Sequence, residues 1–202
     1  MVVQATELVL ATHNAHKLTE ARRILRPYGL TVLALPRSVQ LPPELGATFE
    51  ANALPKARAA AAVLKRSVIA DDSGLEAVAL GGAPGVRSAR FAGEHATDAE
   101  NLAKLLAHAP AGSGVRYVCA LAFVDPGLQE RVFRGECAGV LAPQARGTGG
   151  FGYDPAFLPQ DGPAGLTMAE IGPEAKDRIS HRGRALRAFA RWYVAQLEAG
   201  VP

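Results

Sequence analysis

The run Val68-Ile69-Ala70-Asp71-Asp72-Ser73-Gly74 sets two adjacent carboxylates on the end of a short apolar segment. A buried strand over residues 67–71 holds whatever stands at its C-terminal end rigidly, which is where open α/β sheets place their chemistry. Successive side chains of an extended chain point to opposite faces, so Asp71 and Asp72 do not share one job and at most one reaches a reacting centre. The same residues also suit a plain strand-ending turn, where Asp, Ser and Gly are common for backbone reasons. The rest of the chain has to decide between these readings.

Strand and helix patterns alternate along it. Residues 7–12 read as a first buried strand, and residues 15–25 follow as a helix with Leu18, Ala21, Ile24 and Leu25 on one face. Residues 49–65 are Ala-rich and helical in pattern, with Pro55 expected to kink the helix or shift its start. The 67–71 strand comes second. Thr97-Asp98-Ala99-Glu100 and Thr167-Met168-Ala169-Glu170 both have capping-box spacing and mark two helix starts. Residues 116–124 and 130–137 flank Asp125-Pro126-Gly127 and form a hairpin. Ser180 caps a last helix over 181–199, whose first amides suit an anion. On that helix Arg184, Arg187 and Arg191 lie opposite Leu186, Phe189, Tyr193 and Leu197, the pattern of a solvated face.

With 202 residues, 49% of them hydrophobic, the chain suits one domain over 1–202 with a sizeable core. Neither a leader-like segment nor an apolar stretch of about 18 residues is seen, so a soluble, cytoplasmic protein is expected. Cys119 and Cys137, without CxxC spacing, read as buried thiols. The net charge of +3 is spread rather than massed, which suits a nucleotide as well as a nucleic acid.

Several segments read as phosphate chemistry. Thr12-His13-Asn14-Ala15-His16-Lys17 is a strand-to-helix turn offering backbone amides and a lysine, though not a Walker loop, and Asn14 also suits ordinary N-capping. Gly147 to Gly152 satisfies G-x-G-x-x-G, but Tyr153-Asp154-Pro155 follows where a dinucleotide fold needs a helix. The loop reads better as a close-approach surface, with Phe151 and Tyr153 for a flat ring and Asp154 as an acceptor for its edge.

The ordered set Thr12-x-Asn14-x-x-Lys17, Phe49-Glu50-Ala51-Asn52-Ala53, Ala70-Asp71-Asp72-Ser73-Gly74, Gly81-Gly82-Ala83-Pro84-Gly85, Gly149-Gly150-Phe151-Gly152-Tyr153-Asp154-Pro155 and Ser180-His181-Arg182 resembles the Ham1/RdgB/inosine triphosphatase family over nearly the whole chain. The resemblance implies an α/β fold with a mixed twisted sheet and flanking helices, two lobes around a nucleotide cleft, a homodimer and dependence on Mg²⁺. It implies hydrolysis of inosine, deoxyinosine and xanthosine triphosphates (ITP, dITP, XTP) to the monophosphate and pyrophosphate, with no nucleic-acid or membrane partner. Asp72 becomes the catalytic carboxylate and a metal contact, and Ser73 touches substrate. Thr12 to Lys17 (Thr12, His13, Asn14, Ala15, His16, Lys17), Lys56 and Lys176 surround the triphosphate. Phe151, Gly152, Tyr153 and Asp154 surround the base with His181 and Arg182. Glu44 resembles a second metal carboxylate, with Glu50 as a nearby rival. His13 stands where many members have glycine, Ala51 replaces a common glutamate, and Pro55 falls within the usual helix.

The chemistry is consistent with that resemblance. Cleavage between the α and β phosphates needs neutralised charge on the leaving pyrophosphate and a water in line with the α phosphorus. Asp72 either orients or deprotonates that water or only holds the metal, and no activated Ser or Cys arrangement is evident. Hypoxanthine and xanthine carry an acceptor at C6 where adenine carries a donor, so Arg182 aimed there favours the first two. A pyrophosphatase of Maf-like preference and a non-catalytic RNA or nucleotide binder are the competing readings.

Overall fold

The computed structural model describes residues 6–127 and 129–200. Its six strands and five α-helices run β1 (Thr6–Leu10), α1 (Ala15–Leu25), β2 (Leu30–Ala34), α2 (Phe49–Leu64), β3 (Val68–Ala77), α3 (Asp98–His108), β4 (Gly114–Val124), β5 (Glu130–Leu141), β6 (Phe157–Pro159), α4 (Pro173–Ile179) and α5 (His181–Glu198). The strands form one mixed sheet in the order β2-β1-β3-β4-β5-β6. The chain divides into two compact units, the first ending at Asp72 and regained at 120–134 and from Gly183 onward, the second comprising Ser73–Cys119 and Gly135–Arg182.

In the first unit β1 is parallel to β2, with Leu8 opposite Val32, and to β3, with Leu10 opposite Ile69. The chain leaves β1 through α1 to β2 on one side and returns as β3 on the other, so β1 and β3 flank a topological switch point. In parallel sheets such a point opens a crevice at the strands' carboxyl ends. The β1–β3 register stops at Ile69, so Asp71 and Asp72 lie just beyond the shared ladder. The strand itself does not stop there, as the sequence reading has it, but continues to Ala77 because β4 is its neighbour on the other side. Phe123, Phe133, Phe189, Trp192 and Tyr193 pack ring against ring in this unit, with Phe189 fully buried.

Two further expectations change here. Leu30–Ala34 is a strand that the sequence reading passes over, which makes 68–77 the third strand rather than the second. Pro55 lies inside α2 without shifting its start. A proline removes one helical donor, and burial of Phe49, Ala53, Ala57 and Ala60 on the packed face of α2 offsets that loss.

The second unit is built on Leu75, Leu105, Tyr117, Leu141, Phe157 and Met168. β6 pairs antiparallel with β5, Val140 opposite Leu158. Gly139 lies against Phe157 so closely that a Cβ there would meet the Phe157 ring at 2.8 Å. Cys119 and Cys137 are both buried.

Of the two capping-box sequences only the first starts a helix. Thr97 accepts from the Glu100 amide while the Glu100 carboxylate accepts from the Thr97 amide. At the second, Thr167 Oγ1 donates to the Arg146 carbonyl instead, and the Glu170 amide closes a turn on the Thr167 carbonyl. The next helix waits until Pro173, at a position where proline's missing donor costs nothing. Thr97→Ala is expected to lower stability by about 1 kcal/mol in urea unfolding; an unchanged midpoint would contradict the role of this cap.

Candidate active site

The acidic group belongs to the first unit. Asp71 and Asp72 are both buried, at 2% and 5% exposure, and the pleat sends them to different partners. Asp71 Oδ1 lies 3.1 Å from Lys17 Nζ on α1. Asp72 Oδ2 accepts a 2.9 Å hydrogen bond from Asn52 Nδ2 on α2, and its Oδ1 is 3.9 Å from Lys56 Nζ. Lys56 is itself buried and donates to Glu44 Oε1 at 2.6 Å and to the Asp71 carbonyl at 2.7 Å. Burial pushes the Asp72 carboxyl above the usual range. Lys56 opposes the rise and the nearby Glu44 charge adds to it.

The turn after β1 is organised by its own side chains. Thr12 Oγ1 accepts from the Asn14 amide, and Asn14 Oδ1 caps α1 by accepting from the His16 and Lys17 amides at 2.9 and 3.2 Å. Three of the amides offered to a phosphate by the sequence, those of Asn14, His16 and Lys17, are thereby engaged, and the Lys17 ammonium at the end of the turn faces Asp71. His13 and His16 are exposed.

The aromatic group belongs to the second unit. Lys176 Nζ and the Arg182 guanidinium lie 5.1 and 5.4 Å from the centroid of Phe151. Arg182 Nη2 donates to Ser73 Oγ at 2.7 Å. Asp154 turns inward, so both its oxygens are committed: Oδ1 accepts from Tyr117 Oη, and Oδ2 accepts from the Phe151 amide and from Lys176 Nζ at 2.6 Å. Gly150, at φ +71, is where Asp154 presses closest, and a Cβ there would collide with the carboxylate. Tyr153 is buried and donates to the Ser88 carbonyl, while Ser88 Oγ accepts from the Leu75 amide and donates to the Gly85 carbonyl. The glycine-rich 81–85 segment thus supports the aromatic loop.

Within the first unit, Lys17 is thus placed against Asp71, and Lys56 between Glu44 and Asp72. Glu50 instead pairs with Arg134. Lys176, read from the sequence as a triphosphate ligand, is grouped in the second unit with Phe151, Asp154 and Arg182. Sequence reasoning missed Tyr117, whose ring stacks on His181 at 4.5 Å and 8° and whose hydroxyl bonds Asp154. Burial and the Asp154 charge hold that hydroxyl protonated, well above its ordinary range. An aromatic in the middle of an apolar strand carries no signal of such a role.

The Ham1 family model matches residues 8–192. A dITP/XTP pyrophosphatase of Nocardia farcinica is 48% identical over 189 residues, covering 89% of this chain and 91% of that protein. One from Cutibacterium acnes is 46% identical over 201 residues, covering 96% and 98%. Among solved structures, a HAM1 protein from Coxiella burnetii superposes with a TM-score of 0.83 at 37% identity, covering 94% of this chain and 99% of that one. A nucleoside-triphosphatase / dITP/XTP pyrophosphatase from Mycobacterium abscessus gives 0.70 at 43%, covering 91% and 98%. A match that runs from the first strand into the last helix, through both the acidic and the aromatic groups, settles the family: the chain belongs to the Ham1 family.

Proposed function

We propose that this chain hydrolyses deaminated purine nucleoside triphosphates, ITP, dITP and XTP, to the nucleoside monophosphate and pyrophosphate. The observation that carries the reading is the pair of consecutive residues Asp72 and Ser73. Asp72 is buried with Asn52 and Lys56, which the half-buried Glu44 joins, and Ser73 is held by Arg182 beside the Phe151 ring. Phosphate chemistry and ring recognition thus begin on adjacent residues of one strand. Asp72, with an oxygen not bonded by Asn52, orients or accepts a proton from a water directed at the α phosphorus. Lys17 and Lys56 supply positive charge on the triphosphate side, and Lys176 and Arg182 on the base side.

The donor set also suits Mg²⁺. Glu44 and Asp72 offer hard carboxylate oxygens around one ammonium, and Mg²⁺ typically uses one or two carboxylates and completes its shell with water and phosphate. Among the described residues no group of three or more His, Cys, Asp or Glu side chains is disposed to hold an ion. Glu44 and Asp72 would hold the ion, which when bound offsets charge on the phosphates and on the leaving pyrophosphate. A homodimer in the cytoplasm is part of the same proposal.

Base choice follows from donors. A guanidinium has only N–H groups to offer, so Arg182 directed at C6 matches the carbonyl of hypoxanthine or xanthine and opposes the amino group of adenine. An unmatched buried donor costs about 1–3 kcal/mol. Arg182→Gln is expected to lower kcat/KM for ITP by about 10–100-fold and to narrow its preference over ATP; an unchanged ITP/ATP ratio would remove Arg182 from base selection.

Incubation with ITP, dITP, XTP, ATP and GTP, with Mg²⁺ and with EDTA, tests the reaction. Monophosphate and pyrophosphate from the deaminated purines, lost in EDTA and regained with Mg²⁺, are expected. Diphosphate with orthophosphate would overturn the assigned bond, and preference for another base would favour a Maf-like activity.

Asp72→Asn is expected to fold and bind nucleotide but to lose most turnover. In the folded protein the Asp72 pKa lies above its unfolded value, so the ionised carboxylate costs stability above that pKa, and the cost disappears as the pH falls and it protonates. The metal-free variant is therefore expected to unfold at a higher temperature than wild type at pH 7, the gap closing in acid. A lower midpoint at pH 7 would contradict the burial of this charge, and normal turnover would remove Asp72 from the mechanism.

A further inference from the structure

Asn52 stands one turn before Lys56 on α2 and is 3% exposed. Its carboxamide is used at both ends. Nδ2 donates to Asp72 Oδ2 at 2.9 Å, and Oδ1 accepts from the Gly46 amide at 2.7 Å. Turning the amide over would set its NH₂ against the Gly46 N–H and its oxygen against the Asp72 carboxylate, so only one orientation is compatible with both neighbours. Gly46 lies two residues after Glu44, and a Cβ there would approach Asn52 Oδ1 and the Ala51 Cβ to 2.7 Å. The bare backbone at Gly46 is what lets the Glu44 loop close onto Asn52. One side chain therefore ties the segment that carries Glu44 to the carboxylate of Asp72.

The plane of an aspartate carboxylate turns about its last bond unless one of its oxygens is held. With Oδ2 held by Asn52, Oδ1 remains the oxygen nearest Lys56. We propose that Asn52 is a positioning residue for the hydrolysis: its carboxamide fixes the plane in which the Asp72 carboxylate is held and keeps the Glu44 loop at a set distance from it. This rests on the assignment of Asp72 as the catalytic carboxylate. Asn52 does not touch substrate in this account. Its loss misplaces a group whose alignment matters in the transition state and leaves nucleotide affinity largely intact.

Three variants test this: Asn52→Asp keeps the shape and the acceptor for Gly46 but loses the donor to Asp72, Asn52→Leu keeps the bulk alone, and Asn52→Ala removes the group. Steady-state kinetics with dITP are combined with thermal unfolding and with calorimetric binding of ITP to the metal-free protein. kcat is expected to fall by about 10–100-fold in every folded variant, while KM and the metal-free Kd change by less than about threefold. Wild-type kcat in any folded variant overturns the proposal, as does a loss carried by KM and Kd. Failure of all three to fold also overturns it, since Asn52 would then serve folding alone. A wild-type protein inactive on every deaminated triphosphate would instead sink the functional reading itself.

Discussion

The buried ammonium of Lys56 is the constraint on which the acidic group depends. It bonds the Glu44 carboxylate and the Asp71 carbonyl and lies within 4 Å of Asp72. Removing one partner of a buried ionic group costs about 3–5 kcal/mol, because the remaining charge has neither water nor a counter-ion. Lys56 therefore makes it possible for the buried Asp72 carboxylate and the half-buried Glu44 carboxylate to share one ammonium. The consequence is visible at Asp72, which remains harder to ionise than an exposed aspartate despite the lysine. The fold thus holds the Asp72 carboxylate at a cost in stability, as functional centres commonly do.

The sheet explains why this group forms at that point. β1 and β3 run in parallel only as far as Leu10 and Ile69, and the two aspartates follow at once, at the switch between opposite crossovers. A pleated strand cannot point adjacent side chains the same way, so Asp71 goes to Lys17 and Asp72 to Asn52. The second unit solves a different problem with similar means. Asp154 is buried and saturated, and its work is to hold Lys176 and the Phe151 amide so that an aromatic face flanked by two cations results. Buried polar networks of this kind rigidify a site only when every member is bonded.

Local signals in the sequence carried much of this. The β1-turn-α1 opening, the box at Thr97, the hairpin at Asp125-Pro126-Gly127 and the approximate span of α5 follow from periodicity, turn signals and capping. The Asp-Asp pair was legible because charge at the end of an apolar run is costly without a purpose. What escaped depends on partners distant in the chain. Nothing near Asp154 says that Tyr117 will meet it, and nothing near Lys176 says that its ammonium will bond Asp154 beside the Phe151 ring. Thr167-x-x-Glu170 failed as a helix signal because the Arg146 carbonyl captured the threonine hydroxyl. The extension of β3 past Asp72 escaped because a neighbouring strand, rather than local composition, keeps it extended.

The proposed hydrolysis is an attack of water on the α phosphorus, not on the β phosphorus. Hydrolysis of dITP in ¹⁸O-enriched water, followed by mass analysis of both products, tests it most directly. The label is expected in the nucleoside monophosphate, with unlabelled pyrophosphate. Label in the pyrophosphate would place the attack on the β phosphorus and contradict the account.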